Sequence, residues 1–178
     1  MSKSLKKVVK MLELMRNRRS IRKFLDKPIE QEKLDAILEC ALRSPSSRGR
    51  QPWEITVVSD RKLLGKLSKA KPHGGTFVAE AAAAYVVAGF PGVTDMWIED
   101  CSIVSIVIQL EAESLGLGSC WVQIRNRPHS DKLMASDDIK KTLDLPVDCE
   151  VLSIIAVGYK GEEKEGHTDV PYNKSRHI

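Results

Sequence analysis

The stretch "IVSIVIQLEAESLGLGSCW", Ile103–Trp121, decides how the chain folds. Its first eight residues, Ile103–Leu110, carry polar side chains only at Ser105 and Gln109. Periodicity alone allows such a run to be a buried strand or a helix covered on most sides. The flanks separate the two readings. Asp95 can cap a helix here, Glu99 and Asp100 would sit in its first turn where the helix dipole favours acids, "EAES" prolongs it and Gly116 stops it. The reading is one long helix, apolar nearly all round, with a strand following near Cys120–Ile124. A helix this apolar cannot leave one face in water, and in a chain of 178 residues its coverage points to a second copy of the chain.

The glycines that follow this helix exclude a common alternative. Gly116 and Gly118 leave a helix and enter a strand. A dinucleotide fingerprint runs the other way, from strand through GxGxxG into a helix whose N-terminus meets the phosphate. No Walker pattern is present either, so a bound phosphate would have to be held by side chains. Working outward, a helix is expected over Glu30–Leu42 with Pro45 closing it, then a strand over Glu54–Ser59 and a polar helix over Arg61–Lys69. A loop with Pro72, Gly74 and Gly75 leads to "AEAAAAYVVAGF", whose end reads as a strand. Beyond the quoted stretch come a short helix capped by Ser136 with Ile139 and Leu143 inward, a strand over Val151–Tyr159 and a polar tail. Alternating strands and helices would ordinarily suggest a doubly wound parallel sheet.

Composition bounds the rest. A hydrophobic content of 42% in 178 residues suits one domain, residues 1–178, with a real core. No apolar run is long enough to cross a bilayer, so no membrane role is expected. The start "MSKSLKKVVKMLELM" interleaves lysines with apolar residues, which is not the pattern of a signal peptide, and a cytoplasmic location is expected. Leu5, Val8, Val9, Leu12 and Met15 follow helical spacing there, with Lys3, Lys6, Lys7 and Lys10 as the solvated face. Cys40, Cys101, Cys120 and Cys149 form no CxxC pair and share no ligand spacing with the histidines, so free thiols are expected and neither a metal site nor a disulfide framework. The formal charge of +4 is mild, and no alternation of basic and aromatic residues suggests nucleic-acid binding.

Three separated places collect anion-binding groups. "NRRSIRKF" offers Arg18, Arg19, Ser20 and Arg22; "PSSRGRQPW" offers hydroxyls and an amide ahead of the first strand; "NKSR" offers Lys174 and Arg176 in the tail. Taken singly, the first is explained by cations at a helix C-terminus and the last by a solvated chain end. The middle one could be a simple hydroxyl-bonded turn. Together they fit a phosphate and polyol chain, because guanidinium forks donate in pairs and serine both donates and accepts.

These residues, in this order, resemble the nitroreductase family of FMN-dependent NAD(P)H oxidoreductases. Arg18-Arg19-Ser20 with Arg22 and Phe24, Pro45-Ser46-Ser47 with Gln51-Pro52-Trp53, Leu115 to Trp121, and Ile155 to Tyr159 carry the resemblance. It extends from about Val8 to the C-terminus. It implies an α+β, nitroreductase-like fold: a central, mainly antiparallel sheet flanked by helices, with a long buried helix at a dimer interface. It also implies non-covalently bound FMN, NAD(P)H as co-substrate, and a homodimer with flavin sites shared between subunits. By the same resemblance Arg18, Arg19, Ser20 and Arg22 meet the FMN phosphate and the pyrimidine end of the ring, and Lys174 and Arg176 close on the phosphate. Pro45, Ser46 and Ser47 reach the flavin from the partner subunit, with Gln51 in the same loop and Trp53 anchoring it, while Val122, Gln123 and Ile124 present backbone groups beside flavin N5.

The implied reaction is ping-pong: hydride from NAD(P)H to the flavin, then electrons to a small-molecule acceptor that is flat and electron-poor, such as a nitroaromatic or quinone. Arg19 and Arg22 are the candidates to stabilise the reduced ring. No catalytic side chain is expected, since water can supply the proton. Two departures stand out. Gly49 occupies a position where the family usually has Asn, and the family's Asn/Lys pair after the first strand is missing unless Lys69 or Lys71 substitutes. Cys120 and Trp121 would lie near the flavin, but strand packing is the favoured account of both. Reductive dehalogenation, flavin breakdown and non-enzymatic FMN binding remain open. The only room for a lid is at Gly89–Asp95 and Asn126–Asp138.

Overall fold

The computed structural model describes residues 11–167 and 174–176. In chain order the elements are α1 (Met11–Asn17), α2 (Gln31–Leu42), β1 (Trp53–Val58), α3 (Arg61–Leu67), β2 (Ala83–Gly89), α4 (Trp97–Ser114), β3 (Gly118–Gln123), β4 (Pro128–Ser130), β5 (Leu133–Met134), α5 (Ala135–Leu143) and β6 (Glu150–Gly158). Four strands form one sheet in the order β1-β2-β6-β3. Every neighbouring pair in it is antiparallel, so the doubly wound parallel arrangement is excluded.

Strand β2 shows why the sheet is buried on both faces. Its side chains alternate, with Ala83, Tyr85 and Val87 pointing to one layer and Ala84, Val86 and Ala88 to the other. The first set packs with Ile155 and Val157 of β6 against Leu34 and Ile37 of α2 and Val104 and Ile108 of α4. The second packs with Ile154 and Ala156 of β6 against Leu64 and Leu67 of α3 and Ile139 of α5. Both faces are apolar, so the strand reads as a nearly continuous hydrophobic run.

The stretch Ile103–Leu110 is helical, within the 18 residues of α4. Its two polar residues are used inside the protein: Ser105 Oγ donates to the Cys101 carbonyl at 2.8 Å and lies 2.9 Å from Ser153 Oγ on β6. Gly116, at φ +75°, ends the helix in a left-handed turn where Leu117 N–H reaches the Ala112 carbonyl and Gly116 N–H that of Glu113. Among the described residues α4 packs on the sheet and, along its flanks, on α2 and α1. Ile103, Ile106, Val107 and Leu110, spaced i, i+3, i+4, i+7, form a stripe on the other side that is half-buried or, at Ile103, 37% exposed.

Two helix caps differ from the expectation. Asp95 does not cap α4; the helix begins at Trp97, and Thr94 Oγ1 accepts the Met96 N–H at 3.2 Å. Ser136 lies inside α5 rather than at its cap, where its hydroxyl donates to Glu150 Oε2 at 2.9 Å and accepts the Val151 N–H at 3.0 Å, fastening the helix to β6. The last turn of α2 closes at Arg43, ahead of Pro45. In α1 no residue is buried, and Leu12 and Met15 are 58% and 48% exposed, so among the described residues its apolar side has no cover. Leu5, Val8, Val9 and Lys3, Lys6, Lys7 and Lys10 lie outside the described residues.

Candidate functional site

After α1 the chain runs extended along the outer strand of the sheet. Ser20 bridges Ser119 in parallel, Ile21 N–H donates to the Ser119 carbonyl at 3.0 Å, and Leu25 N–H donates to Tyr159 O at 3.0 Å. Gly118 permits the approach, since a Cβ there would stand 2.9 Å from the Ile21 side chain. The segment lies where α4 ends: Lys160, opposite Phe24, pairs with Glu113 of the last helical turn at 2.7 Å.

The tail crosses this segment and holds it. Gly161 N–H donates to Lys23 O at 2.9 Å, and Glu162 Oε1 accepts the N–H groups of Arg22 at 2.6 Å and Lys23 at 3.3 Å. Those donors, the Arg22 N–H foremost, keep the Glu162 carboxyl below the usual carboxylate range. Lys164 donates to the Ser20 carbonyl at 2.6 Å and pairs with Glu162 at 3.1 Å.

Alternation along the extended segment separates its arginines. Arg19 turns toward the tail and donates to the Glu165 carbonyl, on the side of the buried Ile21. Arg18, Ser20 and Arg22 converge instead on Cys120: burial raises that thiol, while the charges of Arg22, Lys164 and Arg18 and a hydrogen bond with Ser20 oppose the rise. Arg18 Nε is buried and has no hydrogen-bond partner among the described residues. Arg19 therefore stands apart from the cluster in which the sequence placed it.

Strand β3 offers its outer edge to whatever lies in this groove. Ser119 O accepts from Ile21 on the outside, whereas Ile124 N–H donates inward to Leu152 O. Antiparallel pairing alternates, so the backbone of Trp121 and Gln123 faces outward and that of Val122 and Ile124 faces β6. The side chains of Val122 and Ile124 are buried in the core. Of these three expected backbone donors, Gln123 alone has the outward orientation.

Farther along the same edge stands Lys71, half-buried, with its loop packed over β3: a Cβ on Gly75 would lie 3.7 Å from Val122 Cγ1 and 3.8 Å from Lys71 Cε. Burial first, then the nearby Arg127, lowers the Lys71 ammonium pKa, and Cys120 opposes this. Lys71, Pro72, His73, Gln123, Arg127 and Pro128 line a cavity of about 380 Å³. The sequence offers Lys71 only as a substitute for a missing pair and does not mark Lys164 or Arg127. The tail lysine carries no motif, and Arg127 follows the strand at a turn whose direction the sequence does not show.

The loop at Pro45–Gln51 lies elsewhere. Ser47 N–H donates to Asp100 Oδ1 at 2.9 Å in the first turn of α4, and Ser46 Oγ accepts Gln51 N–H at 2.9 Å. Arg48, Gly49 and Gln51 all have positive φ, 54°, 65° and 47°, which makes a tight left-handed turn. Trp53 anchors the loop by packing against the α2/α4 core. An 18-residue helix is about 27 Å long. Pro45, Ser46, Ser47 and Gln51 at its start are thus not brought together with Arg18, Ser20 and Arg22 at its end. Lys174 and Arg176 are exposed.

The fold is that of solved nitroreductases. An FMN-dependent nitroreductase from Clostridium difficile R20291 superposes with a TM-score of 0.92 at 43% identity, over 94% of this chain and 98% of that one. The chain belongs to the nitroreductase family, whose model matches residues 15–90 and 94–159. A protein of Archaeoglobus fulgidus, named provisionally as an NADH dehydrogenase/NAD(P)H nitroreductase, is 35% identical over 170 residues, 93% of this chain and 94% of that one. An iodotyrosine deiodinase of Haliscomenobacter hydrossis is 33% identical over a shorter span, 37% of this chain and 30% of that protein.

Proposed function

We propose that the chain is a single-domain, FMN-dependent NAD(P)H oxidoreductase that works as a homodimer and reduces flat, electron-poor acceptors of the nitroaromatic or quinone type. The observation that carries the reading is the convergence of Arg18, Ser20, Arg22 and Lys164 on the outer edge of β3, with the buried Arg18 Nε lacking a partner among the described residues. A buried donor without a partner is costly, and an anionic ligand removes the cost. The donor set suits FMN: arginine forks and a hydroxyl for a phosphate, and outward backbone of Trp121 and Gln123 for the edge of a planar ring. Family membership and the names of the relatives in Clostridium difficile and Archaeoglobus fulgidus support the same cofactor and co-substrate.

FMN, when bound, supplies the hydride-accepting and electron-returning chemistry. The chain's own residues bind and orient it. Arg18, Ser20 and Lys164 are assigned to the phosphate end, with Lys174 and Arg176 drawn from the tail. Arg22 places positive charge along the groove where negative charge on a reduced ring is stabilised. No side chain is assigned a proton-transfer role. Pro45, Ser46, Ser47 and Gln51 serve the site of the partner subunit, since within one chain α4 separates them from Arg18. The stripe at Ile103, Ile106, Val107 and Leu110 supplies apolar surface for that association. Reductive dehalogenation fits less well: Asn126–Asp138 is occupied by the β4–β5 hairpin and the first turn of α5, leaving little chain for a lid.

Steady-state kinetics with NAD(P)H and a quinone test the reading. The purified protein should be yellow and lose its colour on anaerobic addition of NAD(P)H, and double-reciprocal lines should be parallel. Intersecting lines would overturn the shared, alternately used binding place.

A further inference from the structure

We propose that the cavity where β3 ends is an oxyanion subsite built from Lys71 and Arg127, which selects substrates whose planar ring carries a carboxylate. The inference rests on the reading above, that FMN lies along β3, and it names the substrate class of that site.

Lys71 and Arg127 line the same cavity, and neither has a carboxylate partner among the described residues. Three other cations nearby are matched: Lys164 by Glu162, Lys160 by Glu113, and His129 Nδ1 by the Ala70 carbonyl at 3.1 Å with Asp138 at 3.7 Å. Two cations facing one cavity, Lys71 half-buried and Arg127 at the exposed rim, favour an anion between them. A carboxylate there would accept from both cations at once.

The walls define the rest of the ligand. Pro72 and Pro128 give flat apolar sides, and His73 adds a polar ring at the rim. Both ends of the Gln123 side chain are engaged, its oxygen by Trp121 Nε1 at 3.0 Å and its nitrogen by Arg125 O at 3.1 Å, so Gln123 fixes the floor and leaves the charge recognition to Lys71 and Arg127. A volume of about 380 Å³ is near the lower end of small-molecule sites, which run from about 300 to 1,000 Å³, and it suits one ring with its substituent better than a dinucleotide. The cavity shares Gln123 with the outer edge of β3, so a ring seated over that edge reaches it directly. A phosphate of the nicotinamide co-substrate has the same chemistry and is the second source of an oxyanion.

The test uses the FMN-saturated protein with para-nitrobenzoate and its neutral amide, and with NADPH and NADH. Binding of each nitro compound is read by calorimetry on the oxidised protein and turnover by kcat/KM. The acid should be favoured over the amide by about tenfold at low salt, a preference that shrinks as potassium chloride is added. Arg127→Gln should abolish that preference while leaving the amide unchanged, and Arg127→Lys should keep part of it. If Arg127→Gln instead levels NADPH against NADH, the subsite stands and its anion is the nucleotide phosphate. Equal handling of acid and amide and of the two nucleotides, or preferences that survive Arg127→Gln, overturns the inference while turnover of the amide leaves the oxidoreductase reading intact. A protein that reduces neither nitro compound with FMN bound loses that reading and this inference with it.

Discussion

Arg18 and Arg19 are adjacent, identical in chemistry and opposite in placement. The extended backbone sends Arg19 to the Glu165 carbonyl and Arg18 into the groove beside Cys120. A run of basic residues is legible in a sequence; which side of the strand each one takes is not, because a one-residue shift in register exchanges the sides. The same limit applies to Val122, Gln123 and Ile124, whose outward-facing member is fixed by the pairing of β3 with β6. Arg18→Ala should weaken FMN binding to the apo-protein by roughly 1.5 to 3 kcal/mol, the range for charge-assisted hydrogen bonds, and leave riboflavin binding little changed. Fluorescence titration with both flavins measures this. Equal losses for the two would mean that Arg18 does not meet the phosphate.

Between elements, the contact of α2 with the end of β6 is polar and open to titration. Tyr159 Oη donates to Glu30 at 2.6 Å and accepts from Lys33 Nζ at 2.8 Å, and Lys27 Nζ stands 3.9 Å from the centre of the tyrosine ring. The tyrosine hydroxyl, more than any other group, lowers the Glu30 carboxyl from 4.5 to about 2. A carboxyl depressed on folding adds stability that is fully present above 4.5 and disappears as the pH falls toward 2. Tyr159→Phe should therefore melt lower than the parent at neutral pH, and the difference should close as the pH falls through that window. A gap that stays constant down to the lower limit would show that the hydroxyl does not act through Glu30. Most elements were legible from periodicity and from Gly116, and α4 was read correctly from its acidic start and its stop. The caps were not legible: Asp95, Thr94 and Ser136 are all competent by chemistry, and Ser136 was drawn away by Glu150 and Val151, partners 14 and 15 residues distant.

At the scale of the molecule, the partly exposed apolar stripe of α4 is the feature that the described residues of a single chain do not account for. Placing a charge in the stripe should prevent burial there, because an unpaired carboxylate is costly away from water. Val107→Asp should yield a folded monomer that has also lost FMN, since a ligand that binds only the dimer stabilises it by mass action. Sedimentation read at the protein and flavin wavelengths together checks both losses in one run. A monomer that stays yellow at full affinity would place the whole site within one chain.

The length of α4 between the Ser47 loop and Arg18 has a genetic consequence. Each flavin would draw on both chains, so two defective sequences can complement one another. A chain altered at Arg18 and a chain altered at Ser46 and Ser47 would each be colourless as pure dimers. When mixed at random, half of the dimers are hybrids, and each hybrid holds one doubly damaged site and one assembled entirely from intact parts. About a quarter of all sites should then recover flavin.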